Sequence, residues 1–159
     1  MDEEKKPMKR WYKWFVLIFF VSAIGVFIYQ RVSWDTVSLE LKNETLHVVY
    51  AKTFYQQYRG LGKRDMLAPY DGMLFVYAFA GRQTMVMRDM RFPIDIVWFN
   101  EGKVVDIAKN LPLEDLPEAQ LTKYYPRTDA TVVLELPAGW ADEHGLQIGD
   151  ILKVVQSQT

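Results

Sequence analysis

Residues 94–108 read IDIVWFNEGKVVDIA, and this stretch decides the fold class of the chain. Two runs rich in β-branched and aromatic residues, 94–99 and 103–108, stand on either side of Asn100-Glu101-Gly102. Runs of this composition, separated by a short segment that contains Asn and Gly, are typical of a β-hairpin. The stretch therefore predicts two antiparallel strands joined by a tight turn.

Similar patterns on both sides predict a protein built mainly from strands. Residues 36–41 alternate polar and apolar side chains, and with residues 46–50 they predict another hairpin. Further strands are predicted at 73–77, 84–88, 131–136 and 151–155. Only two short helices are expected, one opened by a Thr53-x-x-Gln56 capping box and one over residues 138–144. Many short strands without long helices between them favour an all-β sandwich or barrel over a doubly wound α/β fold.

The N-terminal part of the chain has a different character. Residues 14–30, WFVLIFFVSAIGVFIYQ, contain no charge and would cover roughly 25 Å as a helix, which predicts a single transmembrane helix. Because cations concentrate in residues 1–13, the N-terminus is expected in the cytoplasm, followed by a short tether at 31–35 and an extracytoplasmic domain at 36–159. A cleaved signal peptide and a buried core helix are the alternatives. The run lacks a small-residue cleavage site and a polar stripe, which favours an uncleaved, single-pass anchor in the cell membrane.

Composition excludes several classes of function. The chain has 159 residues, no cysteine, and 19 Lys and Arg against 20 Asp and Glu. This balance argues against binding of nucleic acid, which normally needs a large basic excess. The missing cysteines exclude disulfides, thiolate nucleophiles and Cys-ligated zinc, and His47 and His144 lack the spacing of metal ligands. We therefore predict neither a metal nor a cofactor.

Six short segments follow one another in an order that resembles a known family. They are GLGKR at 60–64, GMLF at 72–75, MRDM at 87–90, FPIDI at 92–96, VLELPAG at 133–139 and GLQIGD at 145–150. In this order and spacing the chain resembles the family called domain of unknown function 192, over about residues 45–155. The resemblance implies a compact, jelly-roll-like β-sandwich, often preceded by a signal or membrane anchor, and it implies no activity.

The same motifs supply the side chains of a candidate ligand-binding cluster. Its members are Arg64, Arg88, Asp89, Asp95 and Glu135. Asp95 stands between Ile94 and Ile96 in a predicted strand, where a carboxylate is costly unless a cation or hydrogen-bond donors pair with it. We expect Arg64 or Arg88 to be its partner, either in an ion pair that braces the fold or beside a ligand in a cleft.

Two functions remain open on the sequence alone. The first is a non-catalytic binding module or accessory subunit that engages an envelope glycan or a membrane-protein partner. The second is a carboxylate-dependent hydrolase or transferase that acts on an envelope polymer through Asp89, Asp95 and Glu135. Since no Gly-x-Ser-x-Gly motif is present, carboxylates are almost the only catalytic option. The sequence assigns no catalytic residue.

Overall fold

The computed structural model describes residues 10–32 and 34–155, with residues 10 and 26–32 described by their backbone alone. Helix α1, Arg10–Val32, belongs to one compact unit, and the residues from Trp34 onward form a second. The described residues contain seven strands: β1 Asp35–Leu41, β2 Glu44–Ala51, β3 Gly72–Gly81, β4 Ile94–Asn100, β5 Lys103–Leu111, β6 Ala130–Pro137 and β7 Lys153–Val155. The short helices α2 Phe54–Arg59 and α3 Trp140–Glu143, and a 3₁₀ turn at Glu118–Gln120, lie between them.

The prediction of a transmembrane helix at residues 14–30 is wrong. No helix within the described ranges is long and apolar enough to cross a membrane. The predicted single-pass topology therefore has no support. The division into residues 1–13, 14–30, 31–35 and 36–159 stays a prediction, and residues 1–9 lie outside the described residues.

All seven strands belong to one mixed sheet, in the order β5-β4-β6-β3-β2-β1-β7. Its two edges approach each other, because Val104 N in β5 donates to Asp150 O (2.8 Å) and Leu152 N donates to Gly102 O (2.8 Å), just ahead of β7. The sheet is thus curled into a nearly closed barrel. The predicted two-layer sandwich is wrong, since alternation along a strand does not distinguish two stacked sheets from one curled sheet.

Local predictions can be compared with the structure segment by segment. Both predicted hairpins are confirmed, since β1 pairs with β2 and β4 with β5 in antiparallel register. The capping box is confirmed too: Thr53 Oγ1 accepts from Gln56 N (3.2 Å), and Gln56 Oε1 accepts from Thr53 N (3.0 Å). Residues 84–88 are not a strand. Met85 alone pairs there, in an isolated bridge with Tyr124, and the chain then turns at Asp89, whose φ is 53°.

Each face of the sheet carries a cluster of buried apolar side chains. The face that bears Met73, Phe75, Ile96 and Trp98 is called here the α2 face, because α2 and the residues that follow it cover it. The opposite face bears Leu74, Val97, Phe99 and Leu134 and is called the α3 face, since Ala141 of α3 packs on it. Successive residues of one strand alternate between the two faces. This alternation decides where each buried carboxylate points.

Candidate functional site

Glu135 is a buried carboxylate in the middle of the sheet. Its neighbours Leu134 and Leu136 point to the α3 face, so Glu135 points to the α2 face, beside its cross-strand partners Met73 and Ile96. The residue is only 4% exposed. Its Oε2 atom has no hydrogen-bond partner among the residues that the structure describes. Such a buried, unsatisfied polar atom is uncommon in a folded protein and calls for an explanation.

Burial also changes the protonation of this side chain. Removal from water disfavours the charged form and raises the pKa of Glu135 to about 8. At pH 7 the side chain is therefore mainly a neutral carboxylic acid, which both donates and accepts hydrogen bonds. On the same face burial, together with the nearby Glu135, raises the pKa of Tyr77 to about 12, so the Tyr77 hydroxyl stays protonated as well.

Glu135 lines a pocket of about 240 Å³ on the α2 face, called here the Glu135 pocket. One side of it is formed by α2 with Phe54 and Tyr58, and the other by the segment that includes Met85 and Arg88. Phe54 is 84% exposed, so its aromatic face is open to solvent at the pocket wall. The pocket thus combines aromatic surface with a neutral acid and a guanidinium group.

Arg88 is positioned by contacts from two distant parts of the chain. Its Nη1 donates to the carbonyl oxygen of Tyr58 (2.6 Å), and its Nη2 donates to Glu118 Oε1 (2.5 Å) in the 3₁₀ turn. The guanidinium stacks over the Tyr58 ring at 4.0 Å, and the Tyr58 hydroxyl donates to Glu118 Oε2 (3.1 Å). The buried Arg88 Nε finds no hydrogen-bond partner within the described chain. It is a second unsatisfied polar atom on a residue that lines the same pocket.

Asp95 has a different environment from the one predicted. It is fully buried on the α3 face, and its carboxylate accepts hydrogen bonds from the backbone N–H groups of Asn110 (2.7 Å), Gly139 (3.2 Å) and Ala141 (2.8 Å). The expected pairing with Arg64 or Arg88 is wrong, because three backbone donors already satisfy this carboxylate. Asp95 thereby joins β4 to the start of α3 and the end of β5.

The remaining members of the predicted cluster lie near the surface. Asp89 is exposed and forms an ion pair with Lys63 (3.4 Å). Arg64 stacks over the ring of Trp34 at 5.0 Å, and burial, followed by repulsion from Arg59, lowers its pKa. The structure thus brings Arg88 and Glu135 to one pocket and Asp89 to an adjoining cleft, while Asp95 lies on the other face. A ligand-binding role for the five residues stays a prediction.

Two residues of this site, Tyr58 and Glu118, are not members of the predicted cluster. Tyr58 follows Phe54 by four positions on α2, and this spacing predicts that the two side chains share one face of the helix. The spacing does not predict that Tyr58 contacts Arg88. Glu118 lies in an irregular segment 30 positions beyond Arg88, and no local pattern connects the two. Within the described residues no group of three or more His, Asp or Glu side chains could hold a metal ion.

The described residues from Trp34 onward thus form a small, mainly β domain with a single curled, mixed sheet and a partly buried polar pocket around Glu135. The chain belongs to the DUF192 family, described as "Uncharacterized ACR", whose profile matches residues 37–154. The resemblance noted in the sequence is thus confirmed for the family, without support for a membrane-anchored member. No curated protein sequence matches the chain.

Two solved structures are similar to this chain. A protein from Sinorhizobium meliloti 1021, provisionally named a transcription regulator, is 28% identical with a TM-score of 0.69, over 77% of this chain and 96% of that one. A protein of unknown function from Novosphingobium aromaticivorans DSM 12444 is 25% identical with a TM-score of 0.64, over 76% of this chain and 84% of that one. Neither description names a ligand or a reaction.

Proposed function

We propose that this domain is a non-catalytic binding module whose Glu135 pocket holds a small hydroxylated ligand, such as one sugar ring of a glycan. The observation that carries the proposal is that the two buried side-chain atoms without a partner in the described residues, Glu135 Oε2 and Arg88 Nε, belong to residues that line the same pocket. A bound ligand that supplies one hydrogen-bond donor or acceptor to each would remove both desolvation penalties.

The chemistry of the pocket fits a sugar ring in three respects. A neutral carboxylic acid donates to and accepts from hydroxyl groups, whereas a buried carboxylate would favour a cation. The ring of Phe54, which is open to solvent at the pocket wall, offers an apolar face against which the C–H face of a sugar packs. The volume of about 240 Å³ lies below the roughly 300 Å³ at which pockets for larger ligands begin, which favours a single ring.

The alternative, a carboxylate-dependent hydrolase or transferase, has less support. A pair of catalytic carboxylates must face each other across one groove, roughly 5–9 Å apart. Asp95 is on the opposite face of the sheet from Glu135 and is occupied by three backbone donors. Asp89 lines only the adjoining cleft and is paired with Lys63. Glu135 is therefore the one predicted carboxylate among the described pocket residues.

Isothermal titration calorimetry of the full chain with glucose and with N-acetylglucosamine tests this proposal. We expect millimolar or tighter binding of at least one probe, and its loss in Glu135→Leu. Leucine removes both carboxyl oxygens at similar size, and because it also removes a buried unsatisfied group it should not lower the melting temperature. A loss of binding at an unchanged melting temperature thus separates the pocket from the fold.

Glu101→Gln, in the exposed turn between β4 and β5, is the matched control and should bind like the unmodified chain. The proposal is overturned if neither sugar binds at millimolar concentration. It is equally overturned if Glu135→Leu binds the probes as well as the control does.

A further inference from the structure

A second cleft adjoins the Glu135 pocket on the same side of the domain. It has a volume of about 380 Å³ and is called here the arginine cleft, and its charged lining residues are Arg59, Lys63, Arg88 and Asp89. Four residues line both cavities, namely Tyr58, Arg59, Gly62 and Arg88. A ligand seated on Glu135 would therefore extend directly into this cleft, with Arg88 at the junction.

The charges in the arginine cleft do not balance. Asp89 forms an ion pair with Lys63 at 3.4 Å. Arg88 forms an ion pair with Glu118, which does not line the cleft. The guanidinium of Arg59 has neither an ion pair nor a hydrogen bond within the described part of the chain. One cationic fork at the mouth of the pocket is thus left without an anion.

The surroundings of Arg59 increase this excess of positive charge. Arg64 lies close enough that Arg59 contributes, after burial, to lowering the pKa of Arg64. Arg64 forms no ion pair with a carboxylate among the described residues, and its guanidinium stacks on the ring of Trp34. Arg64 does not line the arginine cleft, but its charge adds to the positive potential around Arg59, which favours a planar or tetrahedral anion beside that guanidinium.

We propose that the arginine cleft binds an anionic substituent, a carboxylate or a phosphate, of the same sugar ring that occupies the Glu135 pocket. The inference rests on the proposed function and narrows it from sugars in general to acidic sugars. Arg59 supplies a bidentate fork to the anion, while Lys63 adds a point charge that it shares with Asp89. Tyr58 lies between the ring subsite and the anion subsite and contacts Arg88 on its face.

Calorimetric titration of the full chain with glucose, glucuronate and glucose 6-phosphate tests the inference. At low salt we expect one of the two anionic probes to bind on the order of tenfold more tightly than glucose, and the one that does identifies the anion as carboxylate or phosphate. Added salt should remove this advantage and leave glucose binding unchanged, because exposed charges are screened.

Arg59→Gln should lower the affinity for the anionic probe to that for glucose. Because Arg59 also lines the Glu135 pocket, any loss of affinity for glucose itself should be much smaller than the loss for the anionic probe. Since Arg59 is exposed, the variant keeps its fold, which an unchanged melting temperature verifies. The matched control is Arg82→Gln, an exposed arginine that stacks on Tyr125 and lines neither cavity. It removes the same charge and should leave all three affinities as they were.

The two proposals fail in different ways. Equal affinities for glucose and both anionic probes, or equal losses in Arg59→Gln and Arg82→Gln, would overturn the anion cleft while glucose binding through Glu135 still stood. Tight binding of an anionic probe that survives in Glu135→Leu would keep the cleft as an anion site and reject the sugar pocket. Absence of binding by all three probes would reject both.

Discussion

Asp95 and Glu135 are both buried carboxylates, yet they project from opposite faces of the β4–β6 ladder. Ile96 pairs with Glu135 and Leu136 pairs with Asp95, so each carboxylate shares its side with an apolar partner. Asp95 accepts three backbone hydrogen bonds, whereas Glu135 Oε2 has no partner among the described residues. One carboxylate therefore stabilises the fold, and the other is directed at the pocket.

The free energy of unfolding should fall with rising pH because of Glu135. Its pKa is about 8 in the folded chain against an ordinary 4.5, so between these values the folded state holds a proton that the unfolded state has released. The contribution of Glu135 to the free energy of unfolding is fully present below pH 4.5. It is lost as the pH rises to about 8, at up to roughly 1.4 kcal/mol per pH unit. Urea denaturation at a series of pH values across this window measures the slope.

Glu135→Gln isolates this effect, because glutamine has the shape of the neutral acid and does not titrate. In Glu135→Gln the free energy of unfolding should no longer fall between pH 4.5 and 8. In the control Glu101→Gln it should fall as in the unmodified chain. Identical slopes in both variants would show that Glu135 is ionised alike in the folded and unfolded states.

Replacement of Asp95 should destabilise the domain strongly. Asp95→Ala leaves the N–H groups of Asn110, Gly139 and Ala141 without their acceptor, at a cost of roughly 2–4 kcal/mol. Asp95→Asn keeps one acceptor oxygen and should lie between the alanine variant and the unmodified chain. Chemical denaturation compares them with Asp89→Asn, whose exposed position should limit the change to within about 0.5 kcal/mol.

Gly62→Ala should distort the shared wall of the two cavities. A Cβ at this position would lie 2.8 Å from the backbone oxygen of Arg88 and 3.0 Å from that of Arg59, so the two segments must move apart. We expect a loss of about 1–3 kcal/mol in stability and weaker binding of every sugar probe. Gly81→Ala is the control, because its Cβ would meet only the side-chain end of Gln83 at 3.4 Å. Equal effects of both substitutions would contradict this account of the wall.

Glu118→Gln should weaken binding more than it weakens folding. The Glu118–Arg88 ion pair is partly exposed, so its loss should cost at most about 1 kcal/mol of stability. Glu118 nevertheless holds both Arg88 and the Tyr58 hydroxyl, and a less ordered Arg88 should lower sugar affinity severalfold. Calorimetry and thermal denaturation separate the two effects. Asp115→Asn, an exposed change in the same segment, should alter neither sugar affinity nor stability. A similar loss of sugar affinity in that variant would contradict the role of Glu118 in ordering Arg88.

Predictions from the sequence succeeded where the information is local. The alternation over 36–41 and the turn at Asn100-Glu101-Gly102 sufficed for the two hairpins, and Thr53-x-x-Gln56 sufficed for the start of α2. The prediction of a strand at residues 84–88 was wrong. Their composition suits a strand, but in the fold only Met85 pairs with another backbone segment. The partner of Asp95 could not be foreseen, since its three donors lie 15 to 46 positions away.

The sequence by itself determined the mainly β class, most of the strands and the DUF192 family, because alternation, turn residues and ordered motifs act over a few positions. It also determined that Glu135 lies on the opposite side of its strand from Leu134 and Leu136. Only the tertiary structure decided that the strands form one curled sheet and that Arg88 and Glu135 line the same pocket. Those outcomes depend on strand order and on contacts between distant segments, which no local pattern encodes.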